Sequence, residues 1–235
     1  MKTLAVLSRK GGTGKTTLAL HLAVAARADG HATLLADMDR QQSAVAWRRQ
    51  SGRTDPRIEA VKPGALFTRQ QDAVREGLDL LIVDTGPNVE NDVEQAVRCS
   101  DLCLIVARPN FFDLKAVAES AELARQLGKP ALFVLNQAPS RRAGVEAPVV
   151  AQAVRLLREA SDVAPVGLRA RAAYQHSVAA GLVAQELLPL GPAAREIDGL
   201  WRHLEGLLWP ASGHAAVWRD PPAFDPASIA LRVPG

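Results

Sequence analysis

Cysteine is nearly absent. Cys99 and Cys103 are the only two in 235 residues, and their spacing matches no common zinc or disulfide framework. Two reduced, partly buried thiols are the plain reading. A cluster shared across a dimer interface is the sharper alternative, and it is weakened because cluster sites use four thiolates. No apolar run approaches the roughly 20 residues of a membrane span. The opening Met-Lys-Thr-Leu-Ala-Val-Leu-Ser is too short for the apolar core of a secretion signal and runs straight into a loop, so a cytoplasmic protein is expected. Internal repeats are missing as well. Lysine is scarce, and nearly all the basic residues are arginine. The net charge of +3 and a pI near 9.1 permit contact with nucleic acid without requiring it.

What is present is ordinary globular material, 48% hydrophobic and 23% charged. A chain of this length buries a substantial core without disulfide or metal. Apolar runs at Thr3–Leu7, Ala32–Ala36, Leu78–Val83, Leu102–Ala107 and Ala131–Leu135 read as strands. Arg57–Val61 is a minor strand and Val163–Val166 a short last one. Helical patterns fill Lys15–Ala28, Val45–Gln50, Leu66–Glu76 and Val89–Cys99. Others run from a cap at Asp113 to Leu127, and over Pro148–Ala160, Ala172–Ala180 and Ala193–Leu208. Gly30 stops the first helix. Continuous apolar strands alternating with helices predict an α/β fold, a mostly parallel sheet covered on both faces.

The strongest signal is Lys10-Gly11-Gly12-Thr13-Gly14-Lys15-Thr16-Thr17, placed between a strand and a helix. Glycines let backbone wrap phosphate oxygens, and the helix N-terminus turns free N–H groups and its positive dipole end toward an anion. Lys15 would reach the β- and γ-phosphates of a nucleotide, and the Thr16 hydroxyl would bind Mg²⁺. The common pattern G-x-x-x-x-G-K-[ST] is not met literally, since Arg9 stands at its first glycine and a second lysine, Lys10, leads the loop.

This motif resembles the deviant Walker A loop of the ParA/MinD ATPases. The likeness extends from Met1 to about Leu208 and is nearest to short ParA-type partition proteins with no N-terminal helix-turn-helix. It implies a P-loop ATPase domain over residues 1–209 and a role for Lys10 across a dimer interface, on phosphates held by the partner subunit. Asp37-Met38-Asp39-Arg40-Gln41 resembles the family's D-x-D-P-Q segment. Carried over, Asp39 would position the attacking water and Asp37 would support the Mg²⁺ shell. Arg40 replaces the family's proline and adds charge near the phosphates. Leu80–Asp84 is the Walker B pattern, and Asp84 would hold Mg²⁺ through a water. By resemblance Asn136 would read the adenine amino group. A GTPase would show Asn-Lys-x-Asp there, and Pro139 stands at the Asp position, which favours ATP. Arg169-Ala170-Arg171, followed by Tyr174, Gly181 and Glu186, resembles the C-terminal signature, and Arg169 and Arg171 are candidates for facing DNA or the dimer partner. His21, inside a helix, reads as structural.

The resemblance implies a homodimer formed on ATP, non-specific binding to DNA phosphates, and a ParB-like adaptor or cargo protein that stimulates slow hydrolysis. Such a protein is expected at the nucleoid. A MinD-type membrane switch would need a C-terminal amphipathic helix, which Pro210, Pro221, Pro222, Pro226 and Pro234 break up. A metabolic P-loop enzyme would need cluster thiolates or a dedicated substrate pocket. Residues 210–235 read as a Pro-rich tail, poorly ordered or docked on the surface through Trp218, Phe224 and Ile229.

Overall fold

The computed structural model describes residues 1–87 and 90–210, apart from the side chains of residue 90 and residues 111–116. The tail anchors expected at Trp218, Phe224 and Ile229, and the Asp113 cap, lie outside what is described. Among the described residues, seven parallel strands form one sheet in the order β3-β2-β4-β1-β5-β6-β7. The strands are β1 (Lys2–Leu7), β2 (Thr33–Asp37), β3 (Arg57–Ala60), β4 (Leu80–Asp84), β5 (Leu102–Ala107), β6 (Ala131–Leu135) and β7 (Asp162–Val163).

Helices cover both faces, which is why the central strands are continuously apolar between their ends rather than at alternate positions. Leu4 and Val6 of β1 point to one face and meet α1 (Lys15–Ala28), α2 (Ser43–Ser51), α7 (Ala172–Ala179), α8 (Ala184–Leu187) and α9 (Pro192–Leu208). Ala5 and Leu7 point to the other, under α3 (Leu66–Arg75), α4 (Glu90–Cys99), α5 (Phe111–Gln126) and α6 (Pro148–Leu157). On the first face α9 sinks Ile197, Leu200, Trp201, Leu204 and Leu208 into the core, roughly 1.5–3 kcal/mol for each large aliphatic side chain. The Trp201 indole N–H donates to Asp29 at 2.6 Å, and Trp209 stacks on His31 with ring centres 4.4 Å apart. The end of α9 is thereby fastened to the corner between α1 and β2.

Several expected elements are shorter by one to a few residues, and α8 and a 3-10 turn at Pro63–Ala65 are new. The last strand, expected over Val163–Val166, ends at Val163. The Ala164 N–H still reaches Phe133 at 2.7 Å, and Pro165 then has no N–H to continue the ladder. Helix α6 stops at Leu157, three residues before the expected Ala160. The four-residue α8 has too little pattern to be read in advance. It is held by Glu186, whose carboxylate accepts the Val183 N–H at 3.0 Å. No helix among the described residues is long and apolar enough to cross a membrane.

Candidate functional site

Parallel sheets gather functional loops at the carboxyl ends of their strands. Here β1, β2, β4 and β6 end on the same edge of the sheet, so residues 8–14, 37–42, 84–87 and 136–138 converge. The loop after β1 is shaped by Gly12 at φ 72° and Gly14 at φ 88°, both in the left-handed region. Gly14 is further constrained because a Cβ there would collide with the Asn136 amide. The loop delivers Lys15 as the first residue of α1, with its ammonium donating to the Lys10 carbonyl at 3.2 Å. Burial lowers the Lys15 pKa, while Asp84 and Asp39 favour its charged form. Arg9 pairs with Glu119 of α5 and so pins the front of the loop to a neighbouring helix.

Asp84 sits at the end of β4, beside Asp37 in the pairing of β2 and β4. Its side chain is fully buried, and neither carboxylate oxygen has a hydrogen-bond partner among the described residues. Burial is the main cause that pushes its pKa up to about 7; the nearby Thr16 hydroxyl and Lys15 act the other way, and Asp37 and Asp39 add to the rise. A buried carboxylate with two unused oxygens, next to a threonine hydroxyl and a phosphate loop, is a donor set suited to a hard divalent cation. The residues therefore fit Mg²⁺, with Asp84 and Thr16 as its holders.

Asp37 has a structural task besides the one read from sequence. Its Oδ1 accepts the Asp39 N–H at 3.1 Å, and its Oδ2 accepts the Ala44 and Val45 N–H groups at 2.9 and 3.2 Å. Both oxygens accept backbone N–H groups. The carboxylate caps the start of α2 and folds the 37–42 loop, and it stands beside Asp84 at the ends of β2 and β4, where the Mg²⁺ shell was expected. That fold sets Asp39 against Gly86, where a Cβ would stand 3.5 Å from the Asp39 backbone. Asp39 remains half-exposed at the mouth of the site, its Oδ1 accepting the Gln41 N–H at 3.0 Å. Arg40, the replacement for proline, is exposed beside it.

Asn136 is buried and braces the loop. Its amide donates to the Thr13 carbonyl at 2.7 Å, and its Oδ1 accepts the Gln137 N–H at 2.8 Å. Gln137 adds a bond from its own amide to the Gly12 carbonyl at 3.0 Å. One N–H and one lone pair of Asn136 are left over for a base, so adenine contact would be a second duty. Behind Gly14 and Thr17 opens a groove of about 470 Å³, bounded by Asn136, Arg169, Arg171 and Tyr174. It lies where a base would extend from phosphates held in the loop.

The walls of this groove depend on residues that motif reading does not pick out. Glu196 of α9 accepts the Arg169 N–H at 3.1 Å, two bonds from the Arg171 guanidinium at 2.9 and 2.6 Å, and the Tyr174 hydroxyl at 2.8 Å. Glu146 takes the Arg169 guanidinium through bonds of 2.6 and 2.7 Å. Arg169 and Arg171 are thus committed to carboxylates of their own chain, and Arg169 is largely covered. Nothing local in the sequence marks Glu196, since its partners are 22 to 27 positions away. His21 is buried inside α1. Its Nδ1 bonds the Thr17 carbonyl at 2.7 Å and its Nε2 accepts the Ala184 N–H at 3.0 Å. Burial lowers its pKa to about 4, so the ring is neutral at physiological pH.

Cys103 is buried beside Ser100, and burial pushes its thiol up to about 11. Cys99 is half-buried. No group of three or more metal-ligating side chains occurs among the described residues.

A phosphate loop after β1, a buried acid after β4 and a groove for a base define a P-loop nucleotide-binding protein. The family model described as the CobQ/CobB/MinD/ParA nucleotide binding domain matches residues 4–163, and the chain belongs to that family of ATPases. Maintenance of carboxysome distribution protein A of Gloeobacter kilaueensis is 30% identical over 217 residues, spanning 86% of this chain and 92% of that protein. Protein virC1 of Rhizobium radiobacter is 26% identical over 212 residues, spanning 84% and 90%. Apo McdA from Cyanothece shares the fold with a TM-score of 0.72 at 15% identity, over 86% of this chain and 98% of that one.

Proposed function

We propose that this ATPase is a positioning switch that closes into a homodimer on ATP and Mg²⁺ and then binds DNA without regard to sequence. A ParB-like adaptor or cargo protein stimulates its slow hydrolysis and releases it from the nucleoid. The observation that carries this reading is the second lysine of the phosphate loop. Lys15 would reach the phosphates from its own subunit, and Lys10, half-buried, opens the same loop. In a dimer with two loops facing each other, each Lys10 would meet phosphates held by the other subunit, so loss of the γ-phosphate would weaken closure.

The remaining residues share the other duties. Asp84 and Thr16 would hold Mg²⁺, which supplies charge neutralisation between the β- and γ-phosphates when bound. The backbone N–H groups of Gly11, Gly12, Thr13 and Gly14, with Thr16 and Thr17, cradle phosphate oxygens. Asp39, at the mouth and half-exposed, orients water toward the phosphate. Asn136 keeps the loop in shape and has a donor left for adenine. The names of relatives point the same way: carboxysome distribution for the Gloeobacter protein, and plasmid partition for a Borrelia burgdorferi protein solved with AMPPNP, which shares the fold at a TM-score of 0.66.

Co-sedimentation with random-sequence duplex DNA, with ATP, ADP or no nucleotide at two salt concentrations, tests the reading. Salt-sensitive binding restricted to ATP is the expected result. ATP-dependent dimers that leave DNA in solution in every condition would refute the DNA step and leave the dimer switch standing.

A further inference from the structure

Six arginines fall within residues 139–171, at 141, 142, 155, 158, 169 and 171, against three acids, Glu146, Glu159 and Asp162. The excess of that one stretch equals the +3 of the whole chain. Arg141, Arg158 and Arg169 line one pocket of about 150 Å³ with Glu146, over a floor that includes Val154 and Val163. Glu146 is bonded by Arg169 and, at 3.0 Å, by Arg141. A single carboxylate therefore answers three guanidiniums. Arg155 of α6 and Arg158, the residue that caps its C-terminus with helical φ and ψ, are both exposed and three positions apart, which puts them on one side. Arg142 is exposed on the adjoining loop. None of Arg142, Arg155 and Arg158 makes an ion pair among the described residues.

We infer that this face, the 141–146 loop with α6, is where the phosphate backbone of DNA lands. The inference rests on the DNA-binding reading above and assigns it a surface, which the Arg169 and Arg171 pair alone does not supply. One phosphate suffices for the pocket, but it leaves Arg142 and Arg155 outside; a repeating anion reaches them all. Double-stranded DNA offers one negative charge per roughly 1.7 Å of axis, and unpaired arginines release its counterions. Arg169 forms part of the wall of both this pocket and the nucleotide groove. A nucleotide that moves the Arg169 segment therefore alters the pocket, which links landing on DNA to the nucleotide state.

The test uses the full chain with ATP and Mg²⁺, random-sequence duplex DNA, and a salt titration. Arg142→Gln, Arg155→Gln and Arg158→Gln are combined; all three side chains are exposed and outside the nucleotide site. Removing one arginine–phosphate pairing should flatten the slope of log K against log salt by about 0.9, so removing three should flatten it by about 2.7, with roughly 500-fold weaker affinity near 0.1 M salt. Basal ATP hydrolysis and ATP-dependent dimer content should match the parent. Three lysines at the same positions should keep the slope. A glutamine variant that binds DNA with the parent's slope overturns the assignment and leaves the DNA reading intact. Polyglutamate that competes as well as DNA at equal charge overturns it in favour of an acidic protein. A parent chain that binds no DNA in any nucleotide state overturns both.

Discussion

Asp84→Asn should make the nucleotide-free protein more stable while destroying Mg²⁺-dependent hydrolysis. Burial holds the Asp84 pKa near 7 against an ordinary 3.8. At about 1.4 kcal/mol per decade, keeping the group ionised above pH 7 costs the fold about 4 kcal/mol. Asparagine has the same shape and no charge. Part of the gain is cancelled, because Lys15 gives up a counter-charge that favours its ammonium and the amide inherits the unpartnered surroundings of the carboxylate. A net gain of about 2 kcal/mol is expected, which is roughly 4–8 °C in melting temperature for a chain of this size.

The pH dependence fixes the cause. The folded state keeps the Asp84 proton up to about pH 7, whereas the unfolded chain gives it up near 3.8. The folded state thus binds more protons in that window, and the parent loses stability through this group as pH rises across it. Melts of parent and variant in EDTA should coincide near pH 4, separate up to about pH 7, and stay parallel above. Mg²⁺ should raise the parent's melting temperature at pH 8 and leave the variant unmoved. A variant that melts below the parent at pH 8 in EDTA, or a gap that ignores pH, would refute the argument that Asp84 is a costly charge awaiting a cation.

Lys10→Ala should bind ATP yet remain monomeric, and light scattering with ATP and Mg²⁺ reads this directly; dimer content equal to the parent's would remove Lys10 from the interface. Asp39→Ala should dimerise on ATP and stay dimeric, with phosphate release reduced at least a hundredfold, about the effect of losing a positioned base; undiminished release would take Asp39 out of the water-orienting role. His21→Leu trades two buried hydrogen bonds for apolar packing and should cost about 2–3 kcal/mol at pH 7.5 in a urea melt. Because the folded pKa is lowered to about 4 from 6.5, parent stability falls as pH drops through that window. The leucine variant should lack that part of the acid sensitivity, and equal slopes for both proteins would show that His21 is not buried neutral.

The fold is legible where one pattern answers to one constraint. Helix α1 begins at Lys15 because the loop delivers it there, and it ends at Ala28 just before Gly30, at φ 94°; the sequence marks both ends. The five central strands are legible because burial on two faces leaves almost no position free for a polar residue. The edge is less so. Strand β7 is two residues long, and what ends it is a proline that brings no N–H to the ladder. In the site, residue types are legible and their division of labour is not. Asp37 and Asp84 both end strands and both are buried, yet one has three backbone N–H groups on it and the other has no partner among the described residues. That difference comes from the path of the chain after each strand. Residues 38–45 fold back over Asp37 to start α2, while the Thr85 hydroxyl bonds away from Asp84, to the Val6 carbonyl at 3.0 Å.

Helix α9, in which no motif lies, is joined to the candidate nucleotide site through buried side chains. In the proposed function the start of α1 would receive the phosphates, and two connections lead out from there. His21 spans from the Thr17 carbonyl to the Ala184 N–H, joining the second turn of α1 to the start of α8. Its ring also packs edge-on against Tyr174, with centres 5.3 Å apart. Tyr174 in turn donates to Glu196, the carboxylate that gathers Arg169 and Arg171 onto α9. Every link is buried or half-buried, so each would cost more to break than an exposed bond. A shift of the phosphate loop cannot then be absorbed in α1 alone; it must be shared with the 169–174 segment and α9. Arg169, with one side on the nucleotide groove and the other on the basic pocket, is the place where such a shift reaches the outer surface.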